Sequence, residues 1–339
     1  MKTLVIEKPG QVSYGEKPRP VPAPGEVLLK IRRLGFCGTD LNTFRGGNPL
    51  VTYPRVPGHE VAAVIEAVTA GVPGVLTPGL EVTVLPYTAC GHCTACRAGR
   101  ANACRHNRTL GVQQEGAFTE YLAIPWEKVV AAPLAALDLA LVEPLAVGFH
   151  AVARGRVVAR DTVLVFGCGM IGLGAIAAAG LQRGATVIAV DLEDEKLALA
   201  RRAGAAHVIN SRTEPLHERL LALTQGHGPD VAIEAVGAPA TFQAAVEEVC
   251  FAGRVVYIGY AREPVAYETK YFVMKELDIL GSRNSTPEDF QAVIGLLQAG
   301  RYPAIETVTR TVPFAEAAAA LRDWAARPGA VTKIHVELP

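Results

Sequence analysis

No excess charge of either sign runs through this sequence: 33 Lys and Arg stand against 33 Asp and Glu, a formal net charge of +0 over 339 residues. That balance leaves no electrostatic footprint for nucleic acid or a charged membrane, so neither is expected as a partner. The opening MKTLVIEKPG has only three consecutive strongly apolar residues, Leu4–Ile6, before Glu7. It reads as no secretory signal, and the expected location is cytoplasmic. Internal repeats and low-complexity tails are missing as well. Charge is also absent between Asp161 and Arg183, a span long enough to raise the question of a membrane crossing. Its five glycines and the second strand that follows at once argue against one.

What is present has the composition of an α/β enzyme: 50% apolar residues and 33 Gly, in a chain long enough for two domains with separate cores. The organising stretch runs from Asp161 to Asp191. An apolar run, Val163–Phe166, reads as a buried strand. Gly167, Gly169 and Gly172 follow as G-x-G-x-x-G, with Met170 and Ile171 inside the motif, and an Ala/Leu-rich helix comes next. A second strand, Thr186–Val190, ends in Asp191, 19 residues after Gly172 and near the expected interval of about 20. Gly167 permits the tight turn, Gly169 lets backbone approach a pyrophosphate, and Gly172 lets the helix pack on the strand. The helix start offers N–H groups and a positive dipole end to the phosphates. Asp191 suits the ribose hydroxyls of adenosine. Leu192 follows it with no adjacent Arg for a 2′-phosphate, so NAD is favoured over NADP.

Residues 1 to about 147 differ. Short β-type runs at Thr3–Ile6, Glu26–Ile31, Val61–Val68, Glu81–Val84 and Phe118–Ile124 alternate with Pro/Gly turns, as in a mostly antiparallel β domain. Beyond residue 148, strands are expected at 162–166, 186–190, 207–209, 230–234, 254–258 and 277–280, with helices between, which makes a doubly wound sheet. A helix Pro287–Ala299 capped by Thr286 or Ser285, a strand 306–310, a helix Phe314–Arg327 and a strand Lys333–Glu337 complete the pattern.

Four of the seven cysteines fall in fifteen positions as Cys90-x2-Cys93-x2-Cys96-x7-Cys104. Without a secretory signal this spacing points to metal. Four thiolates suit a closed tetrahedral zinc site, which stabilises a lobe and keeps no position open for chemistry. An iron–sulfur cluster stands second, since the spacing differs from both ferredoxin patterns, and disulfides third. A second, dispersed set is Cys37-Gly-Thr-Asp40, Gly58-His59-Glu60 and Glu143-Pro144. One Cys, one His and one carboxylate supply three ligands and leave a fourth position open, as in catalytic zinc. Asp40 is expected to accept the other ring N–H of His59 and fix its tautomer.

In their order and spacing these motifs resemble the zinc-containing medium-chain alcohol/polyol dehydrogenases over essentially the whole chain, with the sorbitol dehydrogenase and L-galactonate 5-dehydrogenase types nearest. The stretches Tyr53-Pro-Arg-Val-Pro-Gly-His-Glu, Val84-Leu-Pro-Tyr-Thr-Ala-Cys and Gly281-Ser-Arg-Asn-Ser-Thr-Pro-Glu-Asp-Phe carry the nearer likeness. The resemblance implies a GroES-like catalytic domain, residues 1–147 with 283–339, and a Rossmann NAD-binding domain, residues 148–282. It implies two zinc ions per chain, one structural and one catalytic. The catalytic ion would be held by Cys37, His59 and either Glu60 or Glu143. Thr39 is implied as the first relay hydroxyl, Ala235, Val236, Gly237, Ile258 and Gly259 as neighbours of the nicotinamide, and Arg283 with Asn284 as substrate contacts. A homo-oligomer, tetramer or dimer, is implied as well. One departure is Asn42, where many relatives carry the His that ends the relay; an amide takes up no proton near neutral pH.

The expected activity is reversible oxidation, with NAD, of a secondary alcohol of a polyol or a sugar acid such as L-galactonate. Zinc is expected to act as Lewis acid and the nicotinamide to lie in a cleft between the domains. A zinc-independent quinone reductase using NADPH and a non-catalytic nucleotide or metal sensor are the rival readings. The first would lack Cys37, His59 and the four-cysteine lobe; the second is favoured only by Asn42.

Overall fold

The computed structural model describes residues 1–339, the side chain of Ala330 excepted. The chain forms two compact units, Met1–Glu143 with Ala304–Pro339, and Pro144–Pro303.

In the first unit the apolar run Glu26–Phe36 makes a strand of 11 residues. It pairs antiparallel with Glu60–Val68 and, through its first half, with Tyr121–Pro125. Glu81–Val84 and Val129–Ala131 extend the sheet on one side, and Ile334–Glu337 with Arg310–Pro313 on the other. Successive residues of a strand face opposite ways. Leu34, Phe36, Val61, Ala63, Ile334 and Val336 therefore go into one apolar core, where the Phe36 and Phe118 rings stack with centroids 4.4 Å apart. The alternate residues, Gly35, Glu60 and His335, take the other face. Gly35 stands opposite Glu60 on one side and His335 on the other. A Cβ at Gly35 would lie 1.9 Å from Glu60 Oε2, so a side chain here would push the Glu60 carboxylate from its place.

The expected strand at 306–310 is displaced. Ala304–Thr307 forms a helical turn behind Pro303, and the strand is Arg310–Pro313, which pairs parallel with Ile334–Glu337. The local β-propensity of this stretch is real, but the partner strand decides which residues use it.

In the second unit six parallel strands are ordered His207–Asn210, Thr186–Asp191, Thr162–Phe166, Val231–Glu234, Arg254–Tyr257, Asp278–Gly281. Numbered along the chain this is 3-2-1-4-5-6, the doubly wound dinucleotide order. The uncharged stretch after Asp161 is thus a strand and a helix, Met170–Ala177. Among the described residues one helix, Ala136–Arg154, is long and apolar enough to cross a membrane, and 72% of its apolar window is buried in the fold. The division between the units at Glu143 and Pro144 falls within this helix. The helix Pro287–Gln298 goes with the second unit rather than the first. Its Asp289 carboxylate lies 2.8 Å from His150 Nδ1, both buried, and also closes a capping box with Thr286.

Candidate metal centres and nucleotide turn

The four-cysteine lobe is built from one short segment. The turn at Cys90–Cys93 leads into a four-residue helix, Thr94–Arg97, and a 3₁₀ turn, Ala101–Ala103, brings Cys104 back to the first three. The sulfurs of Cys93 and Cys96 are 3.5 Å apart, Cys93 and Cys104 3.8 Å, and Cys104 and Cys90 3.6 Å, with no disulfide among them. A tetrahedron with Zn–S bonds of about 2.3 Å has edges of about 3.8 Å, so the donor set fits zinc. Backbone N–H groups point at the sulfurs: Cys93 N donates to Cys90 Sγ at 3.4 Å and His106 N to Cys104 Sγ at 3.3 Å. Such donors bring the Cys93 thiol down to about 6, whereas desolvation and neighbouring sulfurs push Cys96 up to about 12. Metal binding would drive all four to thiolate.

The dispersed set also converges. Cys37 precedes the helix Gly38–Phe44, and His59 and Glu60 sit where the strand Glu60–Val68 begins. One donor atom from each of Cys37, His59 and Glu60 lies within 4.8 Å of the others. His59 Nδ1 is buried and has no hydrogen-bond partner among the described residues, a state a ligated or solvated imidazole resolves. Burial pulls the His59 pKa down, but Cys37, Glu143 and Asp40 outweigh it and hold the ring well above its ordinary value. Two acids and a thiol around one imidazole make a cation site, and the donor set fits zinc.

Asp40 does something other than expected. Its Oδ2 accepts from Cys37 N at 2.9 Å and its Oδ1 from Gly58 N at 3.2 Å, so it joins the two ligand-bearing loops through their backbones and acts on the His59 ring through charge alone. Burial raises the Asp40 pKa, with His59 opposing.

The two candidate carboxylates stand differently. Both oxygens of the fully buried Glu60 accept from Lys333 Nζ, at 2.6 and 2.7 Å, and the same ammonium reaches the Phe36 carbonyl at 3.1 Å. Glu143 is outside the 4.8 Å group and accepts on Oε1 from the Tyr87 hydroxyl. Burial raises its pKa, against the pull of His59. Thr39 is half-buried and Asn42 exposed on the same short helix. Neither Lys333 nor Tyr87 was legible as a site residue. Lys333 immediately precedes the last strand with nothing in its neighbours to mark it, and its role exists only once that strand pairs beside Phe36.

In the second unit the glycine turn leaves the strand Thr162–Phe166 with Gly167 at φ +92°, and a Cβ at Gly172 would lie 1.8 Å from the Gly167 carbonyl oxygen. Both positions demand glycine. Met170 and Ile171 open the helix that follows Gly169. The Asp191 carboxylate accepts from Cys168 N at 2.7 Å, which ties the acid to the turn. At the same ends of the parallel strands, Ala235–Gly237 and Ile258–Gly259 are held together by Glu234. Its Oε1 accepts from Val236 N, Gly237 N and the Thr241 hydroxyl, and its carbonyl from Ile258 N and Gly259 N. This fully buried strut has no motif of its own. Arg283 and Asn284 follow the last strand of this sheet, Asn284 at φ +55°.

A parallel nucleotide sheet and a β unit with two cysteine-bearing donor sets define a class, and comparison with known proteins agrees. Residues 23–134 match the alcohol dehydrogenase GroES-like domain and residues 171–299 the zinc-binding dehydrogenase family. The chain belongs to the zinc-type medium-chain alcohol/polyol dehydrogenases. It is 34% identical to the L-galactonate-5-dehydrogenase of Escherichia coli K12, over 93% of this chain and 92% of that one. An E. coli CFT073 alcohol dehydrogenase (rspB), solved with NADH, superposes with a TM-score of 0.91 at 34% identity over 99% of both chains. A Sinorhizobium meliloti 1021 protein described as a zinc-binding dehydrogenase, solved with NADP, gives a TM-score of 0.91 at 29% identity over 99% of this chain and 98% of that one.

Proposed function

We propose that the protein oxidises a secondary alcohol of a polyol or sugar acid, such as an aldonate, reversibly to the ketone with NAD. The observation that carries this is the convergence of Cys37, His59 and Glu60 on one buried point. When bound, zinc would supply Lewis acidity toward the alcohol oxygen and a nicotinamide would supply the hydride acceptor. Cys37 and His59 hold the metal together with Glu60. Lys333 on one lone pair of each Glu60 oxygen leaves another for the metal. Asp40 keeps the two loops in register, and Tyr87 holds Glu143 beside them. Thr39 carries the alcohol's proton away and hands it to water, since Asn42 cannot take it. Gly167–Gly172 receive the pyrophosphate, Asp191 the ribose, and Ala235–Gly237 with Ile258–Gly259 flank the nicotinamide. Arg283 and Asn284 hold substrate hydroxyls or a carboxylate, Arg in bidentate fashion. Cys90, Cys93, Cys96 and Cys104 hold the second zinc. The family resemblance supports a cytoplasmic homo-oligomer, tetramer or dimer.

The test is a panel of polyols and aldonates with NAD⁺, run on the wild type and on Cys37→Ser and His59→Ala. Both variants are expected to lose NAD⁺ reduction and catalytic zinc while NADH still binds. Turnover that survives both substitutions sinks the metal assignment. A clear aldonate preference supports the role of Arg283, and indifference to substrate charge removes it. Metal content of Glu60→Gln against Glu143→Gln separates the two carboxylates.

A further inference from the structure

The sequence places no Arg next to Asp191, but the fold supplies one. Strand His207–Asn210 runs parallel to Thr186–Asp191 with Asn210 opposite Asp191, and Ser211 N donates to the Asp191 carbonyl at 3.1 Å. The chain beyond therefore rises beside the turn Leu192–Glu193. There Arg212 Nη2 lies 2.7 Å from Glu193 Oε1. Asn210 fixes this arrangement from below: its Oδ1 accepts from Arg212 N at 3.0 Å and its Nδ2 donates to Asp194 at 2.6 Å. Glu193 stands before the helix Asp194–Arg202, yet its side chain caps nothing. Among the described residues its side chain pairs with Arg212 alone.

The reading of Asp191 as the ribose acid puts this pair where a 2′-phosphate would arrive. That phosphate carries a charge of about −1.5 to −2 at pH 7, and a guanidinium is the side chain best shaped to receive it. Here the guanidinium is already neutralised. Asp191, Glu193, Asp194 and Glu195 are four carboxylates against two cations, Lys196 and Arg212. We propose that Glu193 is a specificity-determining residue: it occupies Arg212, and so denies NADP(H) the receptor its 2′-phosphate would otherwise find. Preference for NAD(H) then rests on an ion pair between the turns that follow two neighbouring strands and not on Asp191 alone. The inference depends on the nicotinamide reading given above.

The experiment titrates NADH and NADPH into the full-length protein and into Glu193→Gln, Arg212→Gln and the double variant. Wild type is expected to prefer NADH. Glu193→Gln should tighten NADPH up to about fivefold, the upper end for one charge pair at an exposed site, and move NADH less than about twofold. The gain should vanish in the double variant and shrink as salt is raised, because both side chains are exposed. NADPH affinity unmoved by Glu193→Gln, a gain that persists without Arg212, or a wild type that binds both nucleotides equally overturns the proposal. If wild type binds neither nucleotide, the nicotinamide reading itself falls and takes this inference with it.

Discussion

Cys90, Cys93, Cys96 and Cys104 come from fifteen consecutive residues, whereas Cys37, His59 and Glu60 come from a helix start and a strand start and lean on Lys333, 273 positions from Glu60. The lobe closes through its own turns, so its sulfurs need no sheet to meet. The dispersed centre has no such economy of chain. It exists because three strands bring Gly35, Glu60 and His335 abreast and because Asp40 joins two loops by their backbones. One site is local and closed; the other is tertiary, with charges buried on every side. On the function proposed above, the first serves stability and the second a ligand that changes.

Three experiments press on that contrast. Cys104→Ser should have the largest effect, confined to the lobe. Structural zinc is worth on the order of 10 kcal/mol of apparent binding energy, so one zinc per chain should leave and the lobe should become protease-sensitive. NADH binding should persist, and an unchanged metal content would refute the four-sulfur site. Lys333→Met comes next. Removing one partner of a buried ion pair costs about 3–5 kcal/mol, and Lys333→Met with Glu60→Gln should recover most of it. Denaturant melts of the four species check this; strictly additive losses would show that the pair does not act as a unit.

The smallest effect depends on pH. His335 is fully buried with neither ring nitrogen partnered. Burial, then Lys333 and Arg33, hold its pKa well below the ordinary value. The folded ring is neutral, while the unfolded one binds a proton below about pH 6.5. Below that pH the unfolded state therefore takes up more protons, and stability falls as pH falls, by up to about 1.4 kcal/mol per unit; above it this group adds no slope. His335→Leu should flatten that part of the profile and relieve two unmatched nitrogens. Equal slopes between pH 5 and 7 for both proteins would refute the assignment.

The glycine motif, its flanking strands and the four-cysteine spacing were readable before any coordinates, because each is a short-range pattern whose geometry follows from neighbours. The six parallel strands were placed to within a residue or two for the same reason. The strand near 306–310 was misplaced because its register is set by Ile334–Glu337 and not by its own residues. Asp40 was assigned to the His59 ring, and only the backbones of Cys37 and Gly58 show where its oxygens go.

By itself the chain determined what its elements are: where it turns, which runs are strands, which sulfurs share a loop. Only tertiary structure decided which charged and polar groups meet. Lys333 with Glu60, Tyr87 with Glu143 and Arg212 with Glu193 are pairs between segments distant in sequence. The physical reason is range. Turns and periodicity are settled over a few residues, whereas an ion pair exists only once strand register has brought both groups to one place and, for the buried ones, excluded water.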